Sequence, residues 1–290
     1  MRESLNQSCF PELGTDRFAE IAAEAGARSV ELRPLGRSEP VGAIAAAIRG
    51  AGLRVEAING LMDWTLPDDP DPRPALERLL EIATAVGAPL IVCTAPIRMG
   101  RLPPYDRIAQ CASERLAVLG AITRTANVRL ALEQVGRSST RPGASSGIRR
   151  LSEALAIVEA AGEDALLTLD SYNIATGDEG FDQIRRIPPK RIGIAQLADR
   201  DMRGDGRALP GEGDFDLDAF VQALAAVGYE GALSLEIFPA QPWHDLLAFA
   251  RKALAMLRQL IPPSPPSPLS RNAGEGEKFS NQSGDLNGAV

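Results

Sequence analysis

Eight short apolar runs alternate with longer amphipathic stretches over about 260 residues, and this alternation restricts the fold more than any other feature of the chain. The runs fall at 4–7, 29–32, 55–58, 90–93, 128–133, 166–170, 192–196 and 232–237, the first a weak one with Leu5 as its single apolar residue. Each is too short for a helix and lacks the polar alternation of a half-exposed strand. Continuous apolar runs of this length read as strands covered on both faces, as in a parallel sheet. The stretches at 15–25, 41–51, 74–86, 105–126, 147–161, 216–227 and 243–260 carry a 3.6-residue period and read as helices, with a shorter one at 178–186. Gly26, Gly52, Gly87, Gly162 and Gly228 each follow a helical run, where a left-handed residue closes a helix, and Thr15 and Asp216 are expected N-caps.

Eight strand–helix pairs predict an α/β fold, a single (β/α)8 TIM barrel. A doubly wound sheet is the alternative, but no Gly-rich dinucleotide fingerprint follows the first strand. The barrel is expected over 1–261. From 262 to 290 the chain turns rich in Pro, Gly and Ser and is expected to be a disordered tail.

Composition narrows the class. Hydrophobic residues make up 44% of the 290 and aromatics only 4%, so an aliphatic core is expected. The net charge of −7 and the lack of a basic block argue against nucleic acid or an anionic membrane as partners. Cys9, Cys93 and Cys111 form neither a disulfide framework nor a zinc motif. No apolar leader and no run of 18 apolar residues appear, so a cytoplasmic location is expected.

Four successive strands end in a group that can bind a cation: Leu130-Ala131-Leu132-Glu133, Leu167-Thr168-Leu169-Asp170, Gly193-Ile194-Ala195-Gln196 and Leu233-Ser234-Leu235-Glu236. The C-terminal ends of barrel strands carry the active site of this fold. The spacing of the four tips is about one strand–helix unit each, so they belong to neighbouring strands. Three carboxylates at one mouth repel unless a cation sits among them. The all-oxygen set favours one divalent ion, Mn²⁺ or Mg²⁺ with Co²⁺ admissible, over structural zinc.

These stretches resemble the xylose-isomerase-like barrel superfamily of sugar isomerases and epimerases, over roughly residues 3–260, and within it the inosose isomerases. The resemblance rests on Ala131-Leu132-Glu133-Gln134-Val135-Gly136, Leu169-Asp170-Ser171-Tyr172, the stretch from Leu209-Pro210-Gly211 to Asp216-Leu217, and Ser234-Leu235-Glu236-Ile237-Phe238. Val30-Glu31-Leu32-Arg33 and Ala57-Ile58-Asn59 fit its second and third strand ends. It implies that Glu133, Asp170, Gln196 and Glu236 bind the metal and that Glu133 and Glu236 are the catalytic acid–base pair. The implied chemistry is isomerisation or epimerisation of a ketose or inosose by proton transfer through a metal-bound enediolate. The family usually places His where this chain has Gln196 and Asn173. Gln196-Leu197-Ala198-Asp199 with Pro210-Gly211 also resembles 3-dehydroshikimate dehydratases of the same superfamily, so a lyase using the same site is the alternative.

Arg33, Asn59, Trp64, Asn173 and Arg207 are expected to contact substrate, and for Arg33, Trp64 and Arg207 a solvated charge or plain packing is an even alternative. Asn6 and Gln7 are weaker candidates. Gly211-Glu212-Gly213 lacks the Lys of a phosphate cradle. Cys93 reads as a small buried hydrophobe, Trp243 as rim packing, and His244, the only histidine, as lying just inside the last helix. The expected partner is a small-molecule sugar or cyclic polyol ketone, with homo-oligomerisation left open. An abasic-DNA endonuclease would need a basic face and more histidines. A degenerate sugar-binding barrel is the remaining reading.

Overall fold

The computed structural model describes residues 1–34, 38–137, 143–201, 206–239, 241 and 243–262. The tail expected from 262 onward lies, past residue 262, outside the described residues, as do parts of the loops after the fifth and seventh strands.

Eight parallel strands close into a barrel in chain order: β1 (Arg2–Asn6), β2 (Ser29–Leu32), β3 (Arg54–Leu61), β4 (Leu90–Thr94), β5 (Arg129–Glu133), β6 (Leu166–Asp170), β7 (Ile192–Leu197) and β8 (Ala232–Leu235). β8 pairs back onto β1 through Arg2 with Ala232 to Leu5 with Leu235. The connecting helices are α1 (Thr15–Glu24), α2 (Val41–Gly50), α3 (Arg73–Val86), α4 (Tyr105–Arg124), α5 (Leu151–Ala161), α6 (Ser171–Ala175), α7 (Leu217–Ala226) and α8 (Leu246–Leu260). Closure leaves the barrel sheet itself without an edge strand. No described helix is long and apolar enough to cross a membrane.

Side chains alternate along a strand, so every second residue faces the lumen. Ala57, Leu90, Val92, Ala131, Leu166, Ile194 and Ala232 form one apolar cluster. The larger cluster, with Leu5, Val30, Ile58, Leu132, Leu169 and Leu235, joins the strands to the helices. Two residues beyond members of the first cluster lie Asn59, Thr94, Glu133, Thr168, Gln196 and Ser234, with Asp170 and Glu236 two further on. The lumen therefore turns from apolar to polar toward the C-terminal ends.

Four local expectations shift. The α5 helix begins at Leu151, not at 147, because the Glu153 carboxylate accepts from the backbone N–H of Arg149 and Arg150 and caps the helix there. The α8 helix begins at Leu246 with Asp245 as its cap, accepting from Ala248 N at 2.9 Å. His244 therefore precedes the helix instead of lying inside it. Thr15 is the first residue of α1 rather than its cap, and its backbone N–H and hydroxyl both bond Glu39. Between β6 and β7 the chain forms the five-residue α6 and a 3-10 turn over Phe181–Arg186 instead of one helix. Asp216 does cap α7, and Trp243 stacks on Phe249 with centroids 4.0 Å apart.

Candidate active site

Glu133 ends β5, Asp170 ends β6, and Glu236 directly follows β8, where its N–H extends the ladder to Leu197 O at 3.0 Å. One carboxylate oxygen from each lies within 4.8 Å of the others, and all three residues are buried. Asp170 has two duties. Its Oδ1 accepts from Asn173 N at 2.7 Å and caps α6, while Oδ2 accepts from Arg207 at 2.7 Å. A local cap and a member of the acidic cluster are thus one side chain.

Arg207 departs from one of its two sequence-based expectations: it is not a solvated charge. Its side chain is only 4% exposed and its Nη1 donates to Asp170 Oδ2, to Glu236 Oε2 at 2.9 Å and to Glu236 O at 3.1 Å. The guanidinium also lies 5.0 Å from the Tyr172 ring centroid and 5.2 Å from that of Phe238. Arg33 lies over the same Phe238 ring at 5.3 Å, so two cations flank one aromatic at the mouth.

Arg207 stands on a two-stranded ribbon, Asp199–Arg200 against Arg207–Ala208. Asp199 fixes the turn that follows. Its Oδ2 accepts from Gly211 N and Gly213 N, each at 3.0 Å, and its Oδ1 from Arg200 N at 2.8 Å and Phe215 N at 3.0 Å. A Cβ on Gly213 would stand 2.2 Å from Arg200 O, so this approach requires glycine. The Gly211-Glu212-Gly213 stretch is thus a cradle for one of the chain's own carboxylates.

Amides and hydroxyls from other strands complete the lining. Asn59 and Asn6 donate to Glu236 Oε1 at 2.7 and 3.2 Å. Asn173 donates to Glu133 Oε1 at 2.7 Å, and Thr94 to Oε2 at 3.3 Å. Asn59 and Asn173 therefore hold the two glutamates directly. Trp64 is fully buried, with its ring N–H bonded to Thr94 O at 3.0 Å, so no part of it is open to a ligand. Packing, not a pocket wall, is its place. Gln7 Oε1 accepts from Arg33 N at 2.9 Å. Cys93 is buried in the core.

Glu31 is the residue that the strand-tip pattern passes over. It is fully buried on β2 and its Oε1 accepts from Gln196 Nε2 at 2.8 Å. A carboxylate inside the apolar run Ser29-Val30-Glu31-Leu32 was the available signal. Gln196 Oε1 and Glu31 Oε2 are buried and have no hydrogen-bond partner.

Crowding shows in the acidities. Burial raises the Glu236 carboxyl to about 7, against the pull of Arg207. Burial, then the Glu236 charge, raises Glu31 to about 8. Glu133 is pushed well above the usual range by burial and by Glu236 and Asp170. Burial opposes the charge on Arg207, but Asp170, Glu236 and Glu133 outweigh it and raise its pKa. One guanidinium thus faces more negative charge than it can neutralise.

The donor set suits a divalent cation. It offers three convergent carboxylates, each oxygen able to accept more than one bond, and an unpartnered amide oxygen on β7, between the strands bearing Asp170 and Glu236. No sulfur or imidazole takes part.

The chain is similar to known proteins. The family described as xylose isomerase-like TIM barrel matches residues 19–260. An inosose isomerase from Bacillus velezensis is 25% identical over 192 residues, covering 63% of this chain and 66% of that protein, just under two thirds of its length. A 3-dehydroshikimate dehydratase from Pseudomonas aeruginosa is 35% identical over 80 residues, 25% of this chain and 13% of that one. Among solved structures, the IolI protein with a bound zinc atom superposes with a TM-score of 0.76 at 20% identity, covering 90% of this chain and 96% of its own.

Proposed function

The chain belongs to the xylose isomerase-like TIM barrel family, and from that premise we propose that it is a divalent-metal-dependent isomerase or epimerase of a ketose or inosose. The observation that carries this reading is the buried convergence of Glu133, Asp170 and Glu236 at one barrel mouth. Glu133, Asp170, Gln196 and Glu236 would hold the ion, and it would supply Lewis acidity beside the substrate's ketone.

Glu133 and Glu236 carry the proton. They lie three strands apart around the barrel and bring their carboxylates to the same cluster from two sides of the mouth, where a substrate seated over the cluster meets both. One takes the proton next to the ketone and the other returns it. Asn173 and Thr94 orient Glu133, and Asn59 and Asn6 orient Glu236. Arg207 and Arg33 face the oxygens of the polyol, and Trp64 backs the wall behind Thr94. The barrel over 1–261 is the catalytic unit and 262–290 an appendage. The partner is a small sugar-like ketone, met in the cytoplasm.

Incubation with Mn²⁺ and a panel of ketoses and inososes in deuterated water tests this. Deuterium should enter next to the carbonyl, and Glu133→Gln and Glu236→Gln should abolish its entry. If no ketose or inosose on the panel exchanges, the reading fails. The dehydratase match of 35% identity supports a second reading, a lyase that uses the same proton abstraction to expel a β-hydroxyl. Ultraviolet absorbance of an aromatic product from 3-dehydroshikimate would decide for it.

A further inference from the structure

One hydrogen bond of the site crosses the lumen. Gln196 is on β7 and Glu31 on β2, and β8 and β1 intervene around the wall. Gln196 Nε2 nevertheless reaches Glu31 Oε1 at 2.8 Å, and both residues are fully buried. Among the described residues, no Lys or Arg ion-pairs with Glu31. A buried acid with one oxygen left without a partner is costly whether or not it is ionised, which argues for a role beyond packing.

The chemistry of an amide supplies that role. One end of Gln196 only donates and the other only accepts. A histidine ligand loses one proton and binds with the bared nitrogen, whereas a glutamine binds a cation only if its oxygen is the end that faces it. Gln196 sits on the strand between those of Asp170 and Glu236 and pairs in register with Asp170 and Ser234. With Nε2 on Glu31, the end left without a partner is Oε1. Turned over, the amide would offer N–H groups to any cation in the cluster.

We propose that Glu31 is a positioning residue for the metal site: by accepting from Nε2 it pins the Gln196 amide with its oxygen as the ligating end. The proposal rests on the reading of the carboxylate cluster as a metal site.

The test is isothermal titration of the metal-stripped full chain with Mn²⁺ and, in parallel, Zn²⁺. Four proteins are compared: wild type, Glu31→Gln, Gln196→Glu and the double variant, each checked for fold by circular dichroism. Glutamine at 31 can give an N–H to Gln196 Oε1 and so let the amide turn. The expected result is about 10-fold or greater weakening in Glu31→Gln. In the Gln196→Glu background, where both oxygens at 196 are equivalent, Glu31→Gln should cause no weakening. Equal weakening in both backgrounds would mean that Glu31 acts only as a charge, and no weakening in the native background would mean that it does nothing here. Either overturns the proposal. A wild-type chain that takes up neither ion removes the metal reading itself, a failure visible before any variant is compared. If Glu31→Gln does not fold, the anomalous map of Mn²⁺-loaded wild-type crystals reads the same point. Gln196 turned away from the ion would then overturn it.

Discussion

Arg207 Nη1 lies 2.7 Å from Asp170 Oδ2 and 2.9 Å from Glu236 Oε2, a buried cation shared by two of the three cluster carboxylates. It offsets part of the repulsion that a metal would otherwise have to relieve. Replacing it with Met leaves buried acids unpaired, a loss of about 3–5 kcal/mol of stability in metal-stripped protein. Saturating Mn²⁺ should recover a large part of that loss. Urea unfolding of Arg207→Met in EDTA and in Mn²⁺ measures both. An equal deficit in the two conditions would show that the guanidinium and the ion do not answer to the same charges.

Stability should depend on pH in a direction set by the acids. Glu236 and Glu31 are raised to about 7 and about 8 from an ordinary value of 4.5, and Glu133 is also raised. Below the ordinary value both native and unfolded chains hold these protons. Above it the unfolded chain releases them first, so stability falls as pH rises until each native pKa is passed. Metal-stripped protein should therefore lose stability between about pH 5 and about pH 8, by up to about 1.4 kcal/mol per pH unit for each group still protonated. Bound ion favours the ionised acids, so Mn²⁺ should flatten the profile and bind more tightly at the upper end. Urea unfolding across this range, with and without Mn²⁺, is the check; a metal-stripped profile without a decline would contradict the assigned acidities.

Asp199 holds the Arg207 ribbon through four backbone N–H bonds. Asp199→Asn turns an N–H₂ group toward some of those donors and should release the turn. Turnover should drop by about 100-fold, the scale of a catalytic group displaced by an ångström. Hydrogen exchange over 207–215 should rise while the rest of the barrel stays protected. Unchanged exchange there would separate Asp199 from the placement of Arg207.

Gly136 brings the end of β5 against α6. A Cβ there would meet Asn173 O at 2.3 Å and Gly177 N at 2.6 Å. Gly136→Ala should cost about 1–3 kcal/mol through overpacking and should pull the Asn173 amide from Glu133. Urea unfolding gives the first effect. Deuterium exchange of substrate, slowed more than Mn²⁺ binding, gives the second.

The strand tips were legible because their signal is periodic. Glu133, Asp170, Gln196 and Glu236 recur once per strand–helix unit, and a parallel strand announces itself as an apolar run. Glu31 was not, since a single acid within Ser29-Val30-Glu31-Leu32 reads as one polar letter and only barrel closure turns it inward. Arg207 falls in a loop after a strand tip, but loops carry no period, so the burial of its guanidinium among the acids has no signature in the sequence. His244 was set within α8 because amphipathic periodicity continues past the helix start that the Asp245 cap defines. Trp64 carried no sign that distinguished a pocket wall from the core.

The donors that hold Glu236 come from the opposite end of the chain: Asn6 lies 230 residues away and Asn59 lies 177. During synthesis, Glu133 and Asp170 emerge well before the strand that brings Glu236. A partly made chain can therefore carry two of the acids but not the assembled cluster. The three-carboxylate cluster is complete only when the eighth strand docks on the first, so its assembly doubles as a readout of completed folding.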